Sequence, residues 1–199
     1  MRGPVSCLFI AVLAGCPGDA SDGASDPDDL VGTWREVPMS NVTAQPDRFT
    51  IKADHTYVLT HTTAADVGTY DADDLTITIR SDIGTVHHAT SLNYVIDSDQ
   101  LLLGALLPVG DTDGVIGSWH GDESQDLEVV KIALDVRADG TVHYTFDSSV
   151  AGHDAADGAW RIEAGDFVTR LAVGTTLRDV HWKSISNRAI GNGLFVRVP

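Results

Sequence analysis

A five-residue stretch occurs twice in this chain. Leu30-Val31-Gly32-Thr33-Trp34 returns as Val115-Ile116-Gly117-Ser118-Trp119, with Trp34 and Trp119 85 positions apart. At the same offset Lys52-Ala53-Asp54-His55-Thr56 returns as Arg137-Ala138-Asp139-Gly140-Thr141. Gly68-Thr69-Tyr70 returns as Gly158-Ala159-Trp160, with five residues inserted. Three matches in one order at nearly one spacing mark an internal repeat, each copy forming one structural unit. Residues 108–114 (PVGDTDG) are rich in turn formers and lie between apolar runs, which makes them the natural boundary. The two units are therefore expected at 30–109 and 114–199.

Within each unit the apolar period is two. Leu75, Ile77 and Ile79 alternate with Thr76, Thr78 and Arg80; Val130, Ile132, Leu134 and Val136 alternate with Lys131, Ala133, Asp135 and Arg137. Val142, Tyr144 and Phe146 alternate in the same way with His143, Thr145 and Asp147. This is the pattern of antiparallel strands with one wet face. Turn formers separate the runs at 53–55, 71–74, 97–99, 138–140 and 191–193. A meander of short strands hides its edges by closing on itself. The expectation is an all-β protein of two small antiparallel β-barrels in tandem. The alternative is one larger barrel with a wall shared between the halves.

The 199 residues carry 13 basic and 29 acidic side chains, a formal charge of −16. Such a balance repels phosphate backbones, so no nucleic-acid partner is expected. The N-terminus is of another kind. Arg2 precedes a mostly apolar run over residues 4–13, and Ala14-Gly15 lead into Cys16. Ten apolar residues are too few to span roughly 30 Å of hydrocarbon, and the pattern is that of a secretory signal. Leu13-Ala14-Gly15-Cys16 resembles the lipobox of bacterial lipoproteins. That resemblance implies cleavage after residue 15, acylation of Cys16 and membrane attachment through the lipid. Pro17 in place of an aspartate implies the outer membrane. Residues 17–29 (PGDASDGASDPDD) hold five aspartates and no large apolar side chain, and 16–29 are expected to form a solvated tether. They lack the ligand pattern and terminal glutamate of an EF-hand. Cys7 and Cys16 are the only cysteines, so neither a disulfide framework nor a CxxC metal knuckle is available.

The Gly-x-Trp openings, each followed by an up-and-down β pattern, resemble the lipocalin-like domains of small bacterial lipoproteins. In that family a tryptophan of the first strand closes the barrel floor beneath an arginine of the last. The resemblance gives Trp34 and Trp119 the first role. It gives Arg197 the second, for the C-terminal unit, whereas residues 100–108 offer the N-terminal unit no arginine. Units of this size leave little room for a calyx.

Signatures of catalysis are missing: the chain contains no GxSxG, HExxH or P-loop motif. Gly191-Asn192-Gly193 lies between β runs and is read as a hairpin turn. The eight histidines include no His-x-His, the spacing that puts two rings on one strand face, and no metal site or cofactor is expected. Tyr57, Tyr70, Tyr94, Trp160 and Trp182 fall in β runs. They are candidates to line a pocket for an apolar ligand, against plain core packing. The expected function is that of a non-enzymatic envelope lipoprotein binding a small apolar ligand or an envelope partner. The alternatives are an interaction or inhibitor module with filled barrels, and a hydrolase built on a Ser–His–carboxylate cluster.

Overall fold

Alternation of apolar and polar residues lays down sixteen strands among the described residues of the computed structural model, which are 25–43, 45–62, 64–82, 88–173 and 175–199. In the first half they are β1 (Gly32–Glu36), β2 (Arg48–Ile51), β3 (Thr56–Thr60), β4 (Ala65–Ala72), β5 (Thr76–Ser81), β6 (His88–Asp97), β7 (Gln100–Leu103) and β8 (Leu107–Pro108). In the second they are β9 (Gly117–Gln125), β10 (Glu128–Val136), β11 (Thr141–Ser148), β12 (Gly152–Glu163), β13 (Asp166–Val173), β14 (Thr176–Ile185), β15 (Ala189–Gly191) and β16 (Gly193–Arg197). The signal segment, Cys16 and the tether up to residue 24 lie outside the described residues.

The protein is all-β, and its first barrel is closed, antiparallel and eight-stranded, consistent with a lipocalin-like fold. Strands β1 to β7 pair each with the next. The eighth position, between β7 and β1, is filled by β16 from the far end of the chain. The second barrel mirrors this. Strands β9 to β15 pair each with the next. Its eighth position is filled from the first half: β8 pairs with β9, and Leu106 bridges Ile190 through backbone hydrogen bonds of 2.6 and 3.1 Å. Each repeat therefore supplies seven strands to its own barrel and its last strand to the other.

This exchange corrects the boundary expected at 108–114. Two barrels exist, with separate cores, but neither 30–109 nor 114–199 contains a whole one. The first core is built on Leu30, Trp34, Phe49, Tyr57, Ile77 and Leu101, and the second on Trp119, Leu134, Val142, Phe167, Trp182 and Ile190. A third core of Val95, Leu102, Ala105, Ile185, Ala189 and Leu194 fills the space between them. Strand β6 also pairs with β9 through Leu92↔Glu123, so one sheet runs across the seam. Strand β16 is consequently apolar on both faces. Phe195 enters the first core, and Leu194 enters the third.

Two further expectations change. Gly191-Asn192-Gly193 is no hairpin turn, because β15 and β16 do not pair; it carries the chain from the second barrel back to the first. There it passes the outward crossing so closely that a Cβ on Gly191 would lie 2.9 Å from the Gly104 carbonyl oxygen. The tether ends sooner than residue 29. Ser25 is buried; its N–H donates to Asp74 O at 2.9 Å, and its hydroxyl accepts from the Ile96 N–H at 2.9 Å. Asp26 then caps a 3₁₀ turn over Pro27–Leu30, accepting from the Asp28 N–H, and Leu30 plugs the barrel base.

The repeated residues do the same work twice. Trp34 Nε1 donates to Leu30 O at 2.8 Å and Trp119 Nε1 to Val115 O at 2.9 Å. Thr56 closes a turn on Asp54, and Thr141 closes one on Asp139. Gly68 and Gly158 let the next strand cross their backbones: a Cβ there would sit 1.9 Å from Arg80 O and 2.1 Å from Arg170 O.

Candidate functional site

The barrel floors differ. The guanidinium carbon of Arg197 lies 4.3 Å from the Trp34 ring centroid, in cation–π range. Its nitrogens donate to Val31 O at 3.0 Å and Asp29 O at 2.6 Å, tying the chain's last strand to the segment that enters the first. This corrects the expected pairing of Arg197 with Trp119. The reason is the strand exchange, which sets Arg197 across from Trp34 and Pro108 across from Trp119. The N-terminal unit has its arginine after all, and the C-terminal barrel has a proline in that place.

The five aromatic residues expected to line a pocket are packed instead. Tyr57, Tyr70, Tyr94 and Trp182 are buried, and Trp160 is half-buried. Their donors are used internally: Tyr57 to Asp66, Tyr70 to Lys52 O, Tyr94 to Asp73 O, Trp160 to Arg137 O and Trp182 to Thr169. Burial beside carboxylates pushes the Tyr57 hydroxyl up to about 12. Burial also raises the Tyr94 hydroxyl above its ordinary value. Of the five, Tyr70 alone reaches a small concavity of about 90 Å³, which it shares with His55, stacked on its ring at 5.4 Å.

A larger concavity of about 360 Å³ lies on the outer wall of the second barrel. Its floor is Ala133 of β10, with His120 of β9 directly opposite on one side and Thr145 of β11 on the other. Ser118, Asp135 and His143 form the next row of the same face, and Val109 stands at the rim. Trp119 and Leu134 alternate with these residues and point into the core. The sequence signalled the wet face of β10 and β11, but a small Ala133 among larger neighbours left no mark in the alternation.

A polar cluster sits where the loop after β1 touches the second barrel. Asp166 is fully buried and accepts from Lys183 Nζ at 2.5 Å, the Ser40 N–H at 2.6 Å and His181 Nδ1 at 3.2 Å. Burial alone would raise its carboxyl; these donors outweigh that and hold it at about 2. Ser40 Oγ lies 3.3 Å from the same His181 Nδ1. Serine, histidine and aspartate thus meet, but not as a relay. A general base takes the serine proton on one ring nitrogen while the carboxylate holds the other. Here one nitrogen faces both, and with a carboxylate on it that nitrogen carries the hydrogen and cannot accept the Ser40 proton. The cluster pins the two barrels together.

Of the other histidines, His61, His88, His143 and His153 lie 2.6–2.8 Å from Asp47, Asp126, Asp157 and Asp147 respectively. Among the described residues no three or more His, Cys, Asp or Glu side chains come together to hold a metal ion. No family model, curated protein or solved structure matches this chain.

Proposed function

We propose that this chain is a lipid-anchored, non-enzymatic lipoprotein of the bacterial cell envelope, attached to the outer membrane through Cys16, that binds a protein partner. The N-terminal pattern supports the anchor. The observation that carries the binding mode is the filled interior of both barrels: Trp34, Phe49, Tyr57 and Tyr94 occupy one and Trp119 and Phe167 the other, all at most 1% exposed. A calyx ligand would have to displace these side chains. What remains for recognition is the outside, where an open concavity and apolar hairpin tips coexist, Leu127 being 94% and Val150 74% exposed. Exposed apolar groups of this kind mark contact surfaces. The geometry of Ser40 and His181 gives no activated nucleophile to support a hydrolase.

The test is photo-crosslinking in the native envelope, with the crosslinking residue placed at Val109, Leu127 or Val150 of the lipidated chain. A discrete protein adduct, lost when Cys16→Ser releases the chain to the soluble fraction, is the expected result. No adduct at any position, with a small molecule retained in native mass spectrometry, would overturn the reading in favour of a ligand carrier.

A further inference from the structure

The concavity over Ala133 has a shape and a charge that narrow its occupant. It is open along the outer wall, whereas small-molecule sites enclose most of their ligand's surface, so an isolated small molecule would stay largely in water. Its exposed lining is almost wholly carbon, although His120, His143 and Thr145 surround it. The His143 wall is held in advance by Asp157 at 2.7 Å. A pre-formed apolar notch of this size between two imidazoles suits one aromatic side chain, the residue type that most often anchors protein interfaces.

The surrounding face sets the sign. By register, Asp122, Asp135, Asp147, Asp157 and Glu163 share the outward face of β9 to β12 with the notch, against Lys131, Arg161 and the neighbouring Arg137. Arg137 is engaged by Asp135 at 2.8 Å. The excess is acidic, as in the chain as a whole. Resting on the protein-binding reading above, we propose that this concavity is the docking site for a protein partner that inserts one aromatic side chain, flanked by basic residues, over Ala133 between His120 and His143. The basic flanks complement the aspartates and speed the encounter, while the ring supplies the buried contact.

The experiment is an amide NMR titration of the full-length Cys16→Ser protein with the tripeptide amides Lys-Trp-Lys, Lys-Ala-Lys and Glu-Trp-Glu, and with tryptamine. Lys-Trp-Lys should shift amides at 118–120, 133–135 and 143–145. Lys-Ala-Lys should leave them in place, and Glu-Trp-Glu should bind at least fivefold more weakly. Ala133→Phe fills the notch from an outward position, so it should abolish the shifts while the melting temperature holds. Amide shifts that are absent at millimolar peptide, equal for the tryptophan and alanine peptides, or unchanged in Ala133→Phe would overturn the proposal. Tryptamine binding as tightly as Lys-Trp-Lys would overturn it too, in favour of a small-molecule site. If crosslinks from Leu127 or Val150 persist while the titration fails, the protein-binding reading stands and only this site falls.

Discussion

Arg197 and Pro108 stand at equivalent places in the two barrels, one across from Trp34 and the other across from Trp119. Each closes the barrel of the opposite repeat. Only Arg197 can stack on its tryptophan and donate to the carbonyls of Asp29 and Val31. Arg197→Ala should therefore destabilise the protein by about 2 kcal/mol, from the lost cation–π contact and charged hydrogen bonds. Arg161 pairs with Glu163 and Asp179 on the surface, and Arg161→Ala should leave the denaturation midpoint near that of the parent. Urea unfolding of the two variants provides the comparison.

The strand exchange makes a stronger prediction about fragments. A fragment over 114–199 lacks Leu106 and β8, and carries β16 with no first barrel to enter. It should show a broad, weakly cooperative transition. A fragment over 104–191 contains all the strands of the second barrel and should unfold cooperatively, at a lower midpoint because the third core is lost. Calorimetry on both decides; equal cooperativity would mean that the exchanged strands are dispensable.

Much of the architecture was legible because its causes are local. The turns at 53–55 and 138–140 and the paired tryptophans each rest on a hydrogen bond within a few residues. Alternation located β5, β10 and β11 for the same reason. The exchange was not legible, since Phe195 and Arg197 read identically whichever first strand they face, and β8 has two residues, too few to show a period. The docked end of the tether was hidden in another way. Its aspartates look like solvated chain, yet Asp26 caps a turn and Ser25 fills a buried site that sequence alone does not reveal. The concavity over Ala133 depends on the sizes of neighbours from three strands, which composition along one strand cannot report.

Gly68 and Gly158 test the repeat at the level of the backbone. A methyl group at either position would collide with a carbonyl oxygen of the adjoining strand, at 1.9 and 2.1 Å, and neither strand can move without breaking its ladder. Gly68→Ala and Gly158→Ala should each cost about 3 kcal/mol or more, at the upper end of overpacking effects. Thermal unfolding would show it. A loss below about 1 kcal/mol at either site would mean that the strands there yield more easily than their pairing implies.

Asp166 should leave a signature in the acid limb of stability. Its carboxyl is held at about 2 in the folded protein, against roughly 3.9 in an unfolded chain. A depressed carboxyl stabilises fully above the unfolded value and loses that contribution as pH falls toward the folded one. A carboxyl lowered this far contributes about 2 kcal/mol, present at pH 7 and lost progressively between about pH 4 and pH 2. Asp166→Asn removes the charge that Lys183 and His181 face, so the variant should be less stable than the parent at neutral pH. The gap should narrow as pH falls through that window, because the parent's carboxyl becomes neutral as well. Denaturant unfolding at pH 7, 4, 3 and 2 measures it. A gap that stays constant down to pH 2 would show that Asp166 acts by packing and hydrogen bonding alone, with no contribution from its charge.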